Sequence, residues 1–253
     1  MVERTEWLSP HLVRVVAGGE SLAGFADNGH TDAYVKLLFV DPALGLEPPY
    51  DVAELRAAGR APVVRTYTVR WVDRGARRLA IDFVTHGDTG VAAVWAAKAV
   101  PGDRLVLSGP GGGYAPDPAA AWHLFAGDLS AVPAVAAALE ALPADARGVA
   151  YLEVADPADA IELKRPDRVA VHWLVNADPD DVAFLARALD GADWSGGVRV
   201  FVHGERESVK AMRAVLRDRG VPRESISISG YWARGRTEDV FQAEKREPIG
   251  RID

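Results

Sequence analysis

The chain has 253 residues, 49% hydrophobic and 26% charged, with a mean hydropathy of -0.03 and a formal net charge of -7. Those values describe a folded globular protein and argue against broad nucleic-acid binding. The absence of cysteine excludes disulfides, thiolate catalysis, thiolate zinc sites and cysteine-held iron–sulfur clusters.

The first half reads as β. Residues 12–17, 33–39, 63–71, 78–84 and 103–108 are short runs rich in Val, Leu, Ile and Tyr. Turn clusters such as Gly18-Gly19, Asp27-Asn28-Gly29 and Asp73-Arg74-Gly75 separate them. Short strands at this spacing predict an antiparallel barrel. One helix is expected over residues 90–99, opened by Asp88 and Thr89. Residues 1–10 are charged and lack an apolar h-region, so no signal peptide is expected. No apolar run of about 18 residues exists, so no membrane span is expected.

Residues 109–118, GPGGGYAPDP, are rich in Gly and Pro and read as a hinge. This divides the chain into a domain of residues 1–112 and a domain of residues 119–253 that ends in a helix.

The period then changes. Strands are expected over 122–126, 149–154, 169–175, 198–202 and 225–229. Helices are expected over 131–142, 180–189, 207–219 and 238–246. This alternation predicts βαβ units and a parallel sheet.

Arg65-Thr66-Tyr67-Thr68-Val69-Arg70 carries the most chemistry. On a strand, Arg65 and Tyr67 share one face, and Thr66 and Thr68 the other. A guanidinium gives a bidentate phosphate clamp, and a phenol two residues away gives a flat stacking surface. The same pattern also describes an exposed strand with solvated arginines. Asp82, Val84 and His86 end the next strand, and the helix after them offers free N–H groups to an anion. His86 is equally readable as a strand-end histidine satisfied by local backbone.

Gly127-Asp128-Leu129-Ser130 sits where a strand yields to a helix, the end of a parallel sheet at which ligands gather. Ser130 also reads as a helix N-cap. There is no G-x-G-x-x-G, no G-K-[ST], no H-E-x-x-H and no G-x-S-x-G. No metal site and no acid–base catalytic residue is expected. Tyr231, Trp232, Arg234, Lys245 and Arg246 form an aromatic-basic stretch near the C-terminus. It reads either as a solvated, salt-bridged helix or as a docking wall for an anion.

In this order the motifs resemble the siderophore-interacting protein family, FAD-dependent ferric-siderophore reductases within the ferredoxin-reductase-like flavoproteins. The resemblance runs through Arg65-Thr66-Tyr67-Thr68-Val69-Arg70, Asp82…His86-Gly87…Gly90…Trp95 and Gly127-Asp128…Pro133-Ala134. It continues through Gly204-Glu205 and Gly230-Tyr231-Trp232-Ala233-Arg234-Gly235. The sequence departs from the family at Val91, where proline is usual, and at Leu129-Ser130, where Glu-Thr is usual. His203 stands where alanine is common, and Asn176 where relatives often carry a basic residue.

The resemblance implies an FAD-binding antiparallel barrel followed by a nicotinamide-binding α/β domain. Arg65 would hold the FAD pyrophosphate, Tyr67 would stack on the isoalloxazine, and Thr68 would approach flavin N5. Val69, Asp82, Val84 and His86 would line the cofactor, and Thr89, Gly90, Ala92 and Ala93 would offer backbone to its phosphates. Asp128, Ser130 and Glu205 would meet NAD(P)H. Arg234, Lys245 and Arg246 would dock a ferric siderophore. The implied activity is electron transfer from NAD(P)H through FAD to ferric siderophore, in the cytoplasm, with no nucleic acid, membrane or obligate protein partner. Two alternatives remain open: the same scaffold reducing a quinone or redox protein, or a siderophore carrier without enzymatic activity.

Overall fold

The computed structural model describes residues 1–87, 89–194 and 197–252. Asp88, expected to open the first-half helix, lies outside the described residues. The chain divides into two compact units, Met1–Gly113 and Tyr114–Asp253.

The first unit is a six-stranded antiparallel sheet. In chain order the strands are β1 (Val2–Ser9), β2 (Leu12–Gly18), β3 (Tyr34–Phe39), β4 (Val63–Asp73), β5 (Arg78–Val84) and β6 (Leu107–Gly111). Their spatial order is β1-β2-β5-β4-β3-β6. The segment before β6 bonds to both sides of the sheet. Val2 N–H donates to Asp103 O at 2.8 Å, and Leu38 N–H donates to Val106 O at 2.9 Å. These bonds draw the edges together and curl the sheet into the expected barrel. Alternate residues fill its interior, including Val13, Val15, Val35, Leu37, Leu79, Ile81 and Phe83. Two helices accompany the sheet, α1 (Val52–Ala57) and α2 (Ala92–Lys98). Asp51 caps α1 by accepting from Glu54 N–H at 2.9 Å.

Two expectations shift here. β1 was not expected as a strand: only Val2 and Ser9 are buried along it, so it lacks an alternating apolar face. It is an edge strand held by backbone pairing to β2 and studded with charge. The glycine-proline stretch read as a hinge begins inside the sheet, because β6 runs to Gly111 and pairs with β3. Gly111 there lies in close contact with the exposed Tyr34 side chain. A Cβ on it would stand 2.3 Å from the Tyr34 ring.

The second unit is a five-stranded, wholly parallel sheet. Its strands are β7 (Trp122–Asp128), β8 (Gly148–Val154), β9 (Val169–Val175), β10 (Val198–Glu205) and β11 (Ile226–Trp232). Their spatial order is β11-β10-β7-β8-β9. The helices are α3 (Val132–Ala141), α4 (Phe184–Asp190), α5 (Arg206–Asp218) and α6 (Glu238–Glu244). Both faces are covered. Leu124, Ala126, Val200 and Val202 pack with α4 and α5, while Phe125, Phe201, Ala150 and Leu152 pack with α3. Burial on both sides is why these strands read as continuous apolar runs. Each fully buried Phe or Leu contributes roughly 1.5–3 kcal/mol.

The C-terminal helix is held by specific contacts. Thr237 caps α6, Phe241 is buried, and Glu244 joins Arg206 Nη1 at 2.5 Å to Arg236 Nε at 2.7 Å. Among the described residues, no helix is long and apolar enough to cross a membrane.

Candidate functional site

Strand register sets the chemistry of the first unit. On β4, Arg65 pairs with Leu37 and Tyr67 with Val35, so both lie on the barrel's inner face. Thr66 and Thr68 pair with Lys36 and Tyr34 on the other face. The alternation is the one expected from strand geometry. The Tyr67 ring leans on Phe83 with centroids 4.4 Å apart, and Phe83 in turn meets Trp95 of α2 at 5.8 Å. Trp95 also meets Phe39 edge-on at 5.9 Å. An aromatic chain thus ties β4, β5, β3 and α2 together and fixes the tilt of Tyr67. Phe83 and Trp95 support the site in a way the sequence reading missed; their signal was aromatic character in a strand and a helix flanking the motif.

Arg65 is half-buried, with Nη1 donating to Val64 O at 2.8 Å. His86 Nδ1 lies 3.0 Å from Thr89 Oγ1, a side-chain partner rather than the local backbone. Val84 is half-buried at the end of β5. Ala92 and Ala93 are buried in the first turn of α2, which leaves their backbone rather than their side chains to face a ligand.

Two residues expected to contact the cofactor have partners within the barrel. Asp82 is buried, and both its oxygens accept from Arg14, Nε at 2.6 Å and Nη2 at 2.7 Å. Its cross-strand partner takes the carboxylate, because β2 sets Arg14 directly opposite. Val69 is in the barrel core opposite Ile81, and its N–H donates to Ala33 O at 2.7 Å.

The remaining set fits a flavin dinucleotide. Among the described residues, no side chain caps the start of α2. Gly90 takes φ +83°, and a Cβ there would approach only His86 Cε1, at 3.9 Å. A loop with open backbone, an arginine and a braced tyrosine ring combine anion donors with a stacking face.

In the second unit the carboxyl edge of the sheet gathers polar groups from four strands. Asp128, Glu153, His203, Glu205, Trp232 and Arg234 line one narrow cleft. Asp128 Oδ1 accepts from Ser130 N–H at 2.9 Å and Ser130 Oγ–H at 2.5 Å. Ser130 therefore does not cap α3, whose N-cap is Ala131. Glu205 caps α5 through Glu207 N–H at 2.7 Å and Ser208 N–H at 2.9 Å, and also takes Arg234 N–H at 3.1 Å. Asp128, Ser130 and Glu205 are brought together as expected, yet their polar atoms are engaged in shaping the cleft.

Burial pushes the Asp128 carboxyl up, against the bonds from Ser130 and Trp232. Burial likewise raises Glu153. His203 is stacked on Phe201 at 3.8 Å, and burial pushes its imidazole down to about 3. Glu153 was missed from sequence, although a carboxylate at a strand's carboxyl end was a usable signal.

The three basic residues expected to dock substrate differ in setting, and the charge of Lys245 acts on His203 of the cleft. Arg234 lines the cleft, with its guanidinium 5.8 Å from the Trp232 ring. Lys245 ends α6, with Nζ 4.7 Å from the Phe241 ring, and Arg246 is exposed beyond it.

Comparison with known proteins agrees with this architecture. Residues 1–114 match the model of the siderophore-interacting FAD-binding domain, and residues 120–235 match that of the siderophore-interacting protein. The chain is 37% identical to ferric vibriobactin reductase ViuB of Vibrio cholerae, over 96% of this chain and 91% of that protein. It is 32% identical to the NADPH-dependent ferric-chelate reductase of Escherichia coli, over 91% of each. The crystal structure of the siderophore-interacting protein SipS from Aeromonas hydrophila superposes with a TM-score of 0.83 at 31% identity, covering 99% of this chain and 96% of that one. With a barrel, a parallel α/β unit and both family models accounting for nearly its whole length, the chain belongs to the siderophore-interacting protein family.

Proposed function

We propose that this chain is a flavoprotein reductase that takes electrons from NAD(P)H and delivers them to ferric siderophore. The observation that carries the reading is the Arg65–Tyr67 pair on one strand face, with the Tyr67 ring braced 4.4 Å from Phe83, which in turn packs against Trp95 of α2. The family and its named ferric reductases support the same function.

Bound FAD supplies the exchange between a two-electron hydride donor and a one-electron ferric acceptor. Arg65 would hold the diphosphate by charge, Tyr67 would offer its ring to the isoalloxazine, Thr68 would lie near the flavin, and the backbone around Thr89, Gly90, Ala92 and Ala93 would meet the phosphates. The carboxyl edge of the parallel sheet receives the nicotinamide nucleotide, because ligands of such sheets lie where the strand order reverses. One NAD(P)H reduces two Fe(III), leaving NAD(P)+, one proton and two Fe(II).

The substrate iron stays with the siderophore. Its hard oxygen donors grip Fe(III) better than Fe(II), so reduction loosens the chelate. Exposed Lys245 and Arg246 offer charge to an anionic chelate. The cytoplasm, where reduced nicotinamide is abundant, is the compartment that suits this chemistry.

The test is direct. The purified protein should carry a flavin absorbance spectrum, and anaerobic reduction should be reversed by ferric siderophore with Fe(II) trapped by a ferrous chelator. A colourless protein that cannot be loaded with FAD would leave only a carrier role. Reoxidation by quinone but not by ferric chelates would redirect the acceptor.

A further inference from the structure

We infer that the preferred donor is the dinucleotide without a 2′-phosphate, NADH, and that Glu153 braced by Asn176 makes the selection. The inference rests on reading the carboxyl edge of the parallel sheet as the nicotinamide-nucleotide site.

The strand order β11-β10-β7-β8-β9 reverses at β7, so a dinucleotide crosses the carboxyl ends on either side of that strand. In such sheets an acidic side chain at the end of the strand following the first turn accepts from a ribose 2′-hydroxyl. An arginine there instead receives a 2′-phosphate. The strand that follows here is β8, and its carboxyl end carries Glu153. Glu153 lines the same cleft as Asp128 and Glu205.

Its position is fixed from the neighbouring strand. Asn176 Nδ2 donates to Glu153 Oε1 at 2.9 Å. Asn176 is itself buried, with its N–H on Val154 O at 2.9 Å and its Oδ1 accepting from Asp178 N–H at 3.0 Å. A side chain held at both its amide nitrogen and its amide oxygen is kept from swinging out to serve a phosphate, and an amide carries no charge to balance one. The other Glu153 oxygen meets no hydrogen-bond donor among the described residues.

The surrounding charge points the same way. Asp178, Asp180 and Asp181 follow Asn176. Arg187 is bound to Asp181 through both of its terminal nitrogens. Arg234 faces Glu153 across the cleft and offsets part of the carboxylate charge already present. A dianionic 2′-phosphate would meet a fixed carboxylate, and like charges in contact are strongly disfavoured. A neutral 2′-hydroxyl would donate to it.

The test uses the FAD-loaded protein and two ligands that transfer no hydride, ADP-ribose and 2′-phospho-ADP-ribose, titrated by calorimetry. ADP-ribose should bind about tenfold tighter or more, the scale of 1.4 kcal/mol or greater. NADH should outpace NADPH in anaerobic flavin reduction by a similar factor. Glu153→Gln keeps the size and the Asn176 contact, and should shrink both ratios several-fold. Equal binding, or tighter binding of the 2′-phosphate, overturns the inference while the nicotinamide site stands. An unchanged ratio in Glu153→Gln removes Glu153 as the selector. If neither nucleotide binds and neither donor reduces the flavin, the nicotinamide reading falls and the inference with it.

Discussion

The Trp232 indole donates to Asp128 Oδ2 at 2.8 Å, joining residues 104 apart in sequence. Glu205 N–H donates to the same oxygen at 2.7 Å, and Ser130 supplies two donors to the other. One carboxylate therefore ties the ends of β7, β10 and β11 together. The Gly-Asp, Gly-Glu and Tyr-Trp motifs, separate in the sequence, are three parts of one network at the mouth of the cleft.

Replacing Asp128 with Ala should lower stability by about 1–3 kcal/mol, since the N–H of buried Glu205 and the half-buried Ser130 donors lose their acceptor at once. Urea unfolding of the second unit's aromatic fluorescence measures it. FAD affinity should stay at the parent value, because the residues assigned to FAD lie in the other unit. A loss under about 0.5 kcal/mol would show that the carboxylate does not organise the cleft.

Arg65→Ala should weaken FAD binding by about 2–4 kcal/mol, the range for removing one partner of a desolvated charge pair. Titration of FAD into apoprotein reads the change directly. Unaltered affinity would take Arg65 away from the diphosphate. Phe83→Ala should act differently, costing about 3–5 kcal/mol of fold stability through the cavity it leaves under Tyr67.

His203 should make the fold acid-sensitive. Its imidazole titrates at about 3 in the fold against an ordinary 6.5, so the unfolded chain binds a proton that the folded chain does not. This contribution is complete above pH 6.5 and is lost as pH falls towards 3, with a slope of about 1.4 kcal/mol per pH unit. Asp128 and Glu153, whose carboxyls are raised by burial, act with the opposite sign. The difference between parent and His203→Gln isolates the histidine: denaturation midpoints should converge as pH drops from about 6.5 to 4.5.

The basic residues should split by half-reaction. Arg234→Ala should slow flavin reduction by the nicotinamide donor, because Arg234 lines the cleft with Glu153. The Lys245→Ala, Arg246→Ala double variant should instead slow reoxidation by an anionic ferric chelate. That loss should shrink with added salt, as exposed charges act over a Debye length of about 8–10 Å. Stopped-flow absorbance separates the two steps. Parent-rate reoxidation at low salt would leave the tail as a solvated helix end.

Much of this protein was readable without coordinates, because the signals are local. Two-residue alternation placed Arg65 and Tyr67 on one strand face, and the β3–β4 register agrees. The change from short alternating strands to apolar runs divided by helices marked an antiparallel barrel before a parallel sheet. Cross-strand neighbours were not readable. Nothing near Asp82 in the sequence announces Arg14, 68 residues away, and that pairing occupies both carboxylate oxygens. Gly109-Pro110-Gly111 has the composition of a hinge, and only pairing with β3 beneath the Tyr34 ring makes it a strand. Glu153 and Asn176 end different strands, and the parallel register of β8 with β9 brings the two side chains within 2.9 Å. Sequence by itself determined the order of elements and the strand faces, since backbone periodicity is set within a few residues. Tertiary structure alone decided which polar side chains remain open to a ligand, since a buried carboxylate takes whichever donor the fold sets opposite it.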